Sequence, residues 1–235
     1  MARRLLTLIA LTATTATLLH AQSPDPRNVA MRPQAQRQLN LGRTYDAPGA
    51  DKINPAPRVP KPVIISKTEW NGGESSGTMR SQFPRELTVH HLGSPKPLTP
   101  EDDPAQQLRN LQIYGWREKA WADLPYHFLI DLDGNIYEGR DPMKAGDTNT
   151  SYDPGNKLLC TLMGNTGLQA PTAKQLDSMV NLMAWASDYY NIDPGTIKGH
   201  MEFTSTACPG QYLYPYVASG YFEGQVRQKI SQAYK

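Results

Sequence analysis

Outside the first twenty residues the chain has four histidines, His90, His91, His127 and His200, and its second cysteine, Cys208, follows His200 by eight positions in the stretch GHMEFTSTACPG. An imidazole and a thiolate close in the chain, joined by a second imidazole from a distant strand, suit zinc. That ion takes nitrogen and sulfur ligands tetrahedrally, and a catalytic site keeps one position for water. His90, His200 and Cys208 are therefore the candidate ligands, although on spacing alone a lone histidine or cysteine is more often simply packed or exposed. His91 follows His90 on an apolar strand and so faces the other way. His127 alternates with Tyr126 in the same manner, so both extra histidines read as structural. Glu202, in the same block as His200, reads as a solvated carboxylate, the alternative being an acid/base group.

These residues need elements to position them. Leu87 to Leu92 is a short apolar strand, and Leu158 to Met163 is another. Tyr126 to Leu132 and Asn135 to Glu138 flank Asp133-Gly134, a hairpin signal. Glu101 to about Lys119 reads as a helix with acidic residues at its start and Leu108, Leu111 and Ile113 among its apolar positions. Thr172 with Gln175 three positions on forms a capping box, opening a helix that carries Leu176, Met179, Val180 and Met183 on one face. Ile197 leads a short extended piece into Gly199-His200, and Tyr221 to Tyr234 reads as a closing helix. Strands and helices interleave around one hairpin, which predicts an α/β fold with a central mixed β-sheet flanked by helices.

Composition limits the alternatives. The chain has 235 residues, 39% hydrophobic and 20% charged, enough to bury a core and unlike a collagen, a coiled coil or a disordered chain. Arg3 and Arg4 precede an apolar run from Leu5 to Leu19, and Leu19-His20-Ala21 offers a cleavage site, so residues 1–21 read as a secretory signal. The run is shorter than the roughly 20 residues of a spanning helix. An exported product, periplasmic or extracellular and with no stable membrane insertion after cleavage, is expected. In an oxidising compartment Cys160, otherwise a buried thiol in an apolar strand, has a second reading as the partner of Cys208 in a disulfide that would remove the metal site.

Residues 22–62 hold 8 of the 20 prolines and seven basic residues against three acidic ones, with no apolar period. They read as a flexible linker, dispensable for chemistry, that precedes a domain over 63–235. With the signal and this segment set aside, 15 basic and 19 acidic residues remain, so no nucleic-acid-binding surface is indicated. A monomer is expected.

Four blocks occur in order: IISKTEWNGG, LTVHHLGSP, DLPYHFLIDLDGNIYEGRD and GHMEFTSTACPG. In these the chain resembles the zinc-dependent N-acetylmuramoyl-L-alanine amidases, the family of peptidoglycan recognition proteins and bacteriophage amidase-lysozymes, over most of residues 65 to 215. The resemblance implies a mixed sheet with zinc in a surface groove. It places the family's metal ligands on His90, His200 and Cys208, its active-site tyrosine on Tyr126, and a position held by lysine or threonine elsewhere in the family on Thr206. The departures fall around the expected groove. A GAHT-like segment reads Gly146-Asp147-Thr148, a strand of the Ser-Ile-Gly-Ile type reads Lys157-Leu158-Leu159-Cys160, and a histidine after the first helix's Gln-x-Tyr is Gly115.

What the resemblance implies is zinc-dependent hydrolysis of the amide between N-acetylmuramic acid and the L-alanine of the stem peptide. Peptidoglycan or muropeptides would then be the partner. Tyr126 and Thr206 would donate hydrogen bonds to the developing oxyanion or hold the water. The alternative is a receptor or scaffold on the same fold that binds peptidoglycan without turnover. Members that lost the cysteine look like binding proteins, and here all three ligands are present.

Overall fold

The structure, a computed structural model, describes residues 53–235. The segment read as a signal and the linker residues up to 52 lie outside the described residues.

Six strands form one sheet: β1 (Ile64–Ile65), β2 (Glu86–His91), β3 (Phe128–Ile130), β4 (Ile136–Glu138), β5 (Lys157–Leu162) and β6 (Lys198–Gly199). Their spatial order is β1-β4-β3-β5-β2-β6, antiparallel only between β3 and β4. That pair is the hairpin signalled by Asp133-Gly134. Gly134 takes φ of +81°, and the Asp131 carboxylate accepts from the amides of Asp133 and Asn135, from the Asn135 side chain and from the Tyr137 hydroxyl. The turn is held by one carboxylate as much as by the glycine.

Among the described residues the α-helices are, in chain order, α1 (Pro104–Tyr114), α2 (Ala173–Tyr190), α3 (Tyr214–Ala218) and α4 (Tyr221–Ala233). Helix α1 starts three residues later than its acidic cluster suggests. Asp103 is its N-cap, accepting from Ala105 N at 2.9 Å, and Pro104 occupies the first turn, where the missing N–H costs nothing. It continues as a wider turn over Gly115–Lys119, closed by Ala120 in a left-handed conformation. Helix α2 opens on the expected capping box, with Thr172 accepting from Gln175 N and the Gln175 side chain accepting from Thr172 N.

Helices α2, α3 and α4 cover one face of the sheet. Leu87 and Val89 of β2, Phe128 and Ile130 of β3, and Leu158, Cys160 and Leu162 of β5 pack there against Leu176, Met179, Val180 and Met183 of α2. The opposite face carries a smaller cluster in which Leu108 of α1 meets Leu129, Tyr137, Met163, Leu124 and Trp70. In the register His90↔Thr161↔Leu129 these three side chains stand on this second face. His90 is thus presented on the side away from α2.

The boundary expected at residue 63 is corrected by the packing of residues 53–62. Asp188, buried on α2, accepts four hydrogen bonds: from Asn54 Nδ2, Arg58 N, Val59 N and Tyr234 OH, all at 2.7–2.8 Å. Asn54 N also donates to Tyr189 O, and Val59 is buried in the core. These ten residues are a strap on the domain, because their unpaired amides find a buried acceptor that only the folded domain supplies.

Burial works to raise the Asp188 carboxyl, but the hydrogen bonds from Val59, Tyr234, Arg58 and Asn54 outweigh it and hold it below the usual carboxylate range. A lowered folded-state pKa stabilises above the unfolded value of about 4, and that stabilisation is lost as pH falls through the folded one. A chain shortened to begin at Pro60 should therefore be less stable by about 1–3 kcal/mol in urea unfolding than one beginning at Asp51, since Asp188 loses three of its donors. The stability gap between wild type and Asp188→Asn should narrow as pH is lowered below about 4.

Candidate functional site

His90 lies near the carboxyl end of β2, between β5 and β6. The parallel pairing of β2 with β6 runs Thr88↔Lys198 and Val89↔Gly199, so the next step of the same register brings His200 to the flank of His90. Their ring centroids are 4.6 Å apart. The strand cannot continue past His200, because His200–Glu202 turns into a 3-10 helix whose Glu202 side chain accepts from Gly199 N at 2.8 Å. Glu202 is exposed and serves this turn.

Cys208 arrives from the loop that follows. Its Sγ lies 3.6 Å from His90 Nδ1 and accepts from His91 N at 3.4 Å. One ligand atom each from His90, His200 and Cys208 falls within a mutual 4.8 Å, and all three residues are buried. The loop is knotted in place through Thr166, whose hydroxyl donates to Pro209 O and whose carbonyl accepts from Tyr212 N. At Gly210 the chain passes so near Thr166 that an added Cβ would sit 2.4 Å from its carbonyl carbon.

The electrostatics keep this cluster uncharged. Burial first, and the imidazoles of His200, His91 and His127 after it, hold His90 well below its usual value. His200 is lowered to about 4 by burial and then by His91. The Cys208 thiol is pushed up to about 12 by burial, with the His91 amide pulling the other way. Both histidines therefore offer neutral imidazole nitrogens at physiological pH, the form that ligates a metal.

Tyr126 stands beside the cluster, its ring centroid 5.3 Å from that of His90 and tilted by 51°. Its phenol is raised above the ordinary tyrosine range by burial and then by Cys208, so it is a proton donor in this setting. Thr206 is half-buried and accepts from Cys208 N at 3.3 Å, which leaves its own proton to donate. The segment ahead of Tyr126 is fixed by the fully buried Arg140, whose guanidinium donates to the carbonyls of Asp123, Leu124 and Ala145 and to the Asp147 carboxylate.

The remaining histidines and cysteine are held elsewhere. His91 Nδ1 accepts from Thr166 N at 3.1 Å, and burial lowers the ring to about 4. His127 accepts from Leu159 N at Nδ1 and donates to Lys144 O from Nε2, each at 2.8 Å, with burial lowering it to about 3. Cys160 faces α2, on the opposite side of the sheet from His90, and both cysteines are free thiols. The competing disulfide is therefore not formed.

Two contacts on the histidines have no counterpart in the motifs. Tyr152 OH lies 3.2 Å from His90 Nε2, and Thr150 Oγ1 lies 2.8 Å from His200 Nε2. Both lie just after Gly146-Asp147-Thr148, where the sequence departs from the GAHT-like pattern, and a threonine and a tyrosine in a polar loop carry no spacing signal.

A family model described as N-acetylmuramoyl-L-alanine amidase matches residues 80–211. Among curated relatives, peptidoglycan-recognition protein SD of Drosophila simulans is 31% identical over 157 residues, covering 64% of this chain and 82% of the relative. Peptidoglycan recognition protein 1 of Mus musculus is 33% identical over 159 residues, covering 66% and 86%. A solved structure of peptidoglycan recognition protein-LE in complex with tracheal cytotoxin, a monomeric diaminopimelic acid-type peptidoglycan, aligns with a TM-score of 0.60 at 26% identity over 66% of this chain and 92% of that one.

His91→Ala removes the acceptor of the Thr166 amide but no atom of the triad. It should lower unfolding stability by about 1–3 kcal/mol, measured in urea, while metal uptake stays far closer to wild type than in His90→Ala.

Proposed function

Because this chain belongs to the N-acetylmuramoyl-L-alanine amidase family, we propose that it hydrolyses the amide between the lactyl group of N-acetylmuramic acid and the L-alanine of the peptidoglycan stem peptide, with zinc held by His90, His200 and Cys208. The observation that carries this reading is the buried triad. Zinc–sulfur and zinc–nitrogen bonds of about 2.3 and 2.0–2.1 Å in a tetrahedral site put sulfur and nitrogen about 3.5–3.6 Å apart. His90 Nδ1 and Cys208 Sγ are 3.6 Å apart. Two neutral imidazoles and one cysteine sulfur, which binds as the thiolate, are also the donor set that zinc prefers, and three protein ligands leave a fourth position for water.

Zinc, when bound, supplies a Lewis acid for the amide carbonyl and hydroxide near neutral pH. The chain's own residues supply the rest. The Tyr126 phenol, protonated and beside His90, donates a hydrogen bond toward the oxygen on which charge develops. The Thr206 hydroxyl, fixed through the Cys208 amide, donates its proton toward the same oxygen or holds the attacking water. Burial of the triad keeps bulk water from screening these contacts. Recognition of a muropeptide on this scaffold is supported by the peptidoglycan fragment bound to peptidoglycan recognition protein-LE. Export to the periplasm or outside the cell rests on Arg3, Arg4 and the apolar run after them.

A second reading is a receptor that binds peptidoglycan without cutting it, favoured by the recognition-protein names of the relatives. Incubating the mature chain with isolated sacculi separates the two. An amidase releases stem peptides with a free L-alanine amino terminus, stops when a chelator is added, and leaves the glycan strands intact. New reducing sugar ends would overturn the amidase reading, and binding without either product would favour the receptor. Cys208→Ser should take up far less zinc. Tyr126→Phe should keep its zinc and lose about 10²–10³ in turnover.

A further inference from the structure

Resting on that zinc assignment, we infer that residues 147–153 form a positioning segment that sets the tautomer and ring orientation of both metal histidines through two hydroxyls, those of Thr150 and Tyr152. A histidine that ligates through one ring nitrogen carries its proton on the other, and a partner for that proton fixes the ring. At His90 the partner is Tyr152 OH, 3.2 Å from Nε2, while Nδ1 is the nitrogen that faces Cys208 Sγ. At His200 it is Thr150 Oγ1, 2.8 Å from Nε2, which leaves Nδ1 to ligate. Thr150 can pass its own proton to Thr148 Oγ1, 2.9 Å away, and its amide donates to the same oxygen. Both histidines are thereby turned the same way by one stretch of chain.

That stretch is anchored at its two ends. Asp147 pairs with the buried guanidinium of Arg140 at 2.5 Å, and Asp153 pairs with Arg80 at 2.5 Å. Between the anchors, the Tyr152 ring packs 4.8 Å from His200 and lies nearly parallel to Phe203 at 5.4 Å, 15° between planes. This packing restricts the phenol to the Nε2 side of His90. A hydroxyl partner orients an imidazole without adding charge, so the negative charge offered to the metal is the thiolate's alone.

Thr150→Val and Tyr152→Phe remove one hydroxyl each and keep shape, and neither residue is a ligand. Measured by competition with a chromophoric chelator, zinc affinity should fall about 10–100-fold in each variant, the usual cost of removing such a partner. Thr150→Ser, which restores the hydroxyl, should recover it. The cobalt(II)-substituted proteins should show altered visible absorption in the two deletion variants, which a loss of bulk stability does not produce. Zinc affinities and cobalt spectra indistinguishable from wild type in both variants would overturn the positioning role. A wild-type chain that takes up no zinc would instead overturn the functional reading on which it rests.

Discussion

The site depends on one backbone register. β2 is paired in parallel with β5 on one side and β6 on the other, and its alternation decides which face of the sheet each residue meets. Leu87 and Val89 go into the core against α2, and Thr88 and His90 go to the opposite face. A slip of one residue would bury His90 among leucines and place Val89 beside the thiol of Cys208. The core under α2 forbids that slip, so the geometry of the His90, His200 and Cys208 cluster is set by apolar packing on the opposite side of the sheet. The same pairing carries His200 to His90 without any contact between their side chains being needed first.

Around that register, similar residues have different fates decided by burial and partners. His127 and His91 are hydrogen-bond hubs for Leu159 and Thr166 amides, and so rigidify the strand and loop on which the triad is mounted. Arg140 has the corresponding role for the chain that leads to Tyr126: one buried guanidinium donates to three carbonyls and to the half-buried Asp147 carboxylate. Trp70, from the first of the four sequence blocks, donates to Glu138 O, and Lys67 N donates to the Glu138 carboxylate. The blocks most visible in the sequence are thus as much scaffold as chemistry.

Local signals were readable in proportion to how local their physics is. The Thr172 capping box and the Asp133-Gly134 turn involve partners within a few residues, and both formed as read. Helix α1 starts at Pro104 and not at Glu101, because proline geometry outweighs the three acidic residues in setting the boundary. Two-residue β1 has too little pattern to register at all, and its pairing with β4 is supplied by the fold. The triad was readable because strand histidine, His200 and Cys208 are chemically unusual residues in ordered blocks. Thr150 and Tyr152 were not, since a hydroxyl's role is defined by an imidazole 50 or 62 positions away. The strap at 53–62 is illegible in the sequence for the same reason: among its prolines lie amides whose acceptor, Asp188, is about 130 residues on.

That strap has a mechanical consequence. A pull on the chain ahead of residue 53 enters the domain at Asn54, whose contacts are Asp188 and Tyr189 at the end of α2 and Tyr234 at the end of α4. The load is carried by two helices packed on each other and on the sheet face away from His90. It bypasses β6, the two-residue strand on which the placing of His200 relies. Tension on the amino-terminal side is therefore borne at the helix ends, chiefly by hydrogen bonds to the Asp188 carboxylate, and the His90, His200 and Cys208 cluster on the opposite face of the sheet is insulated from it.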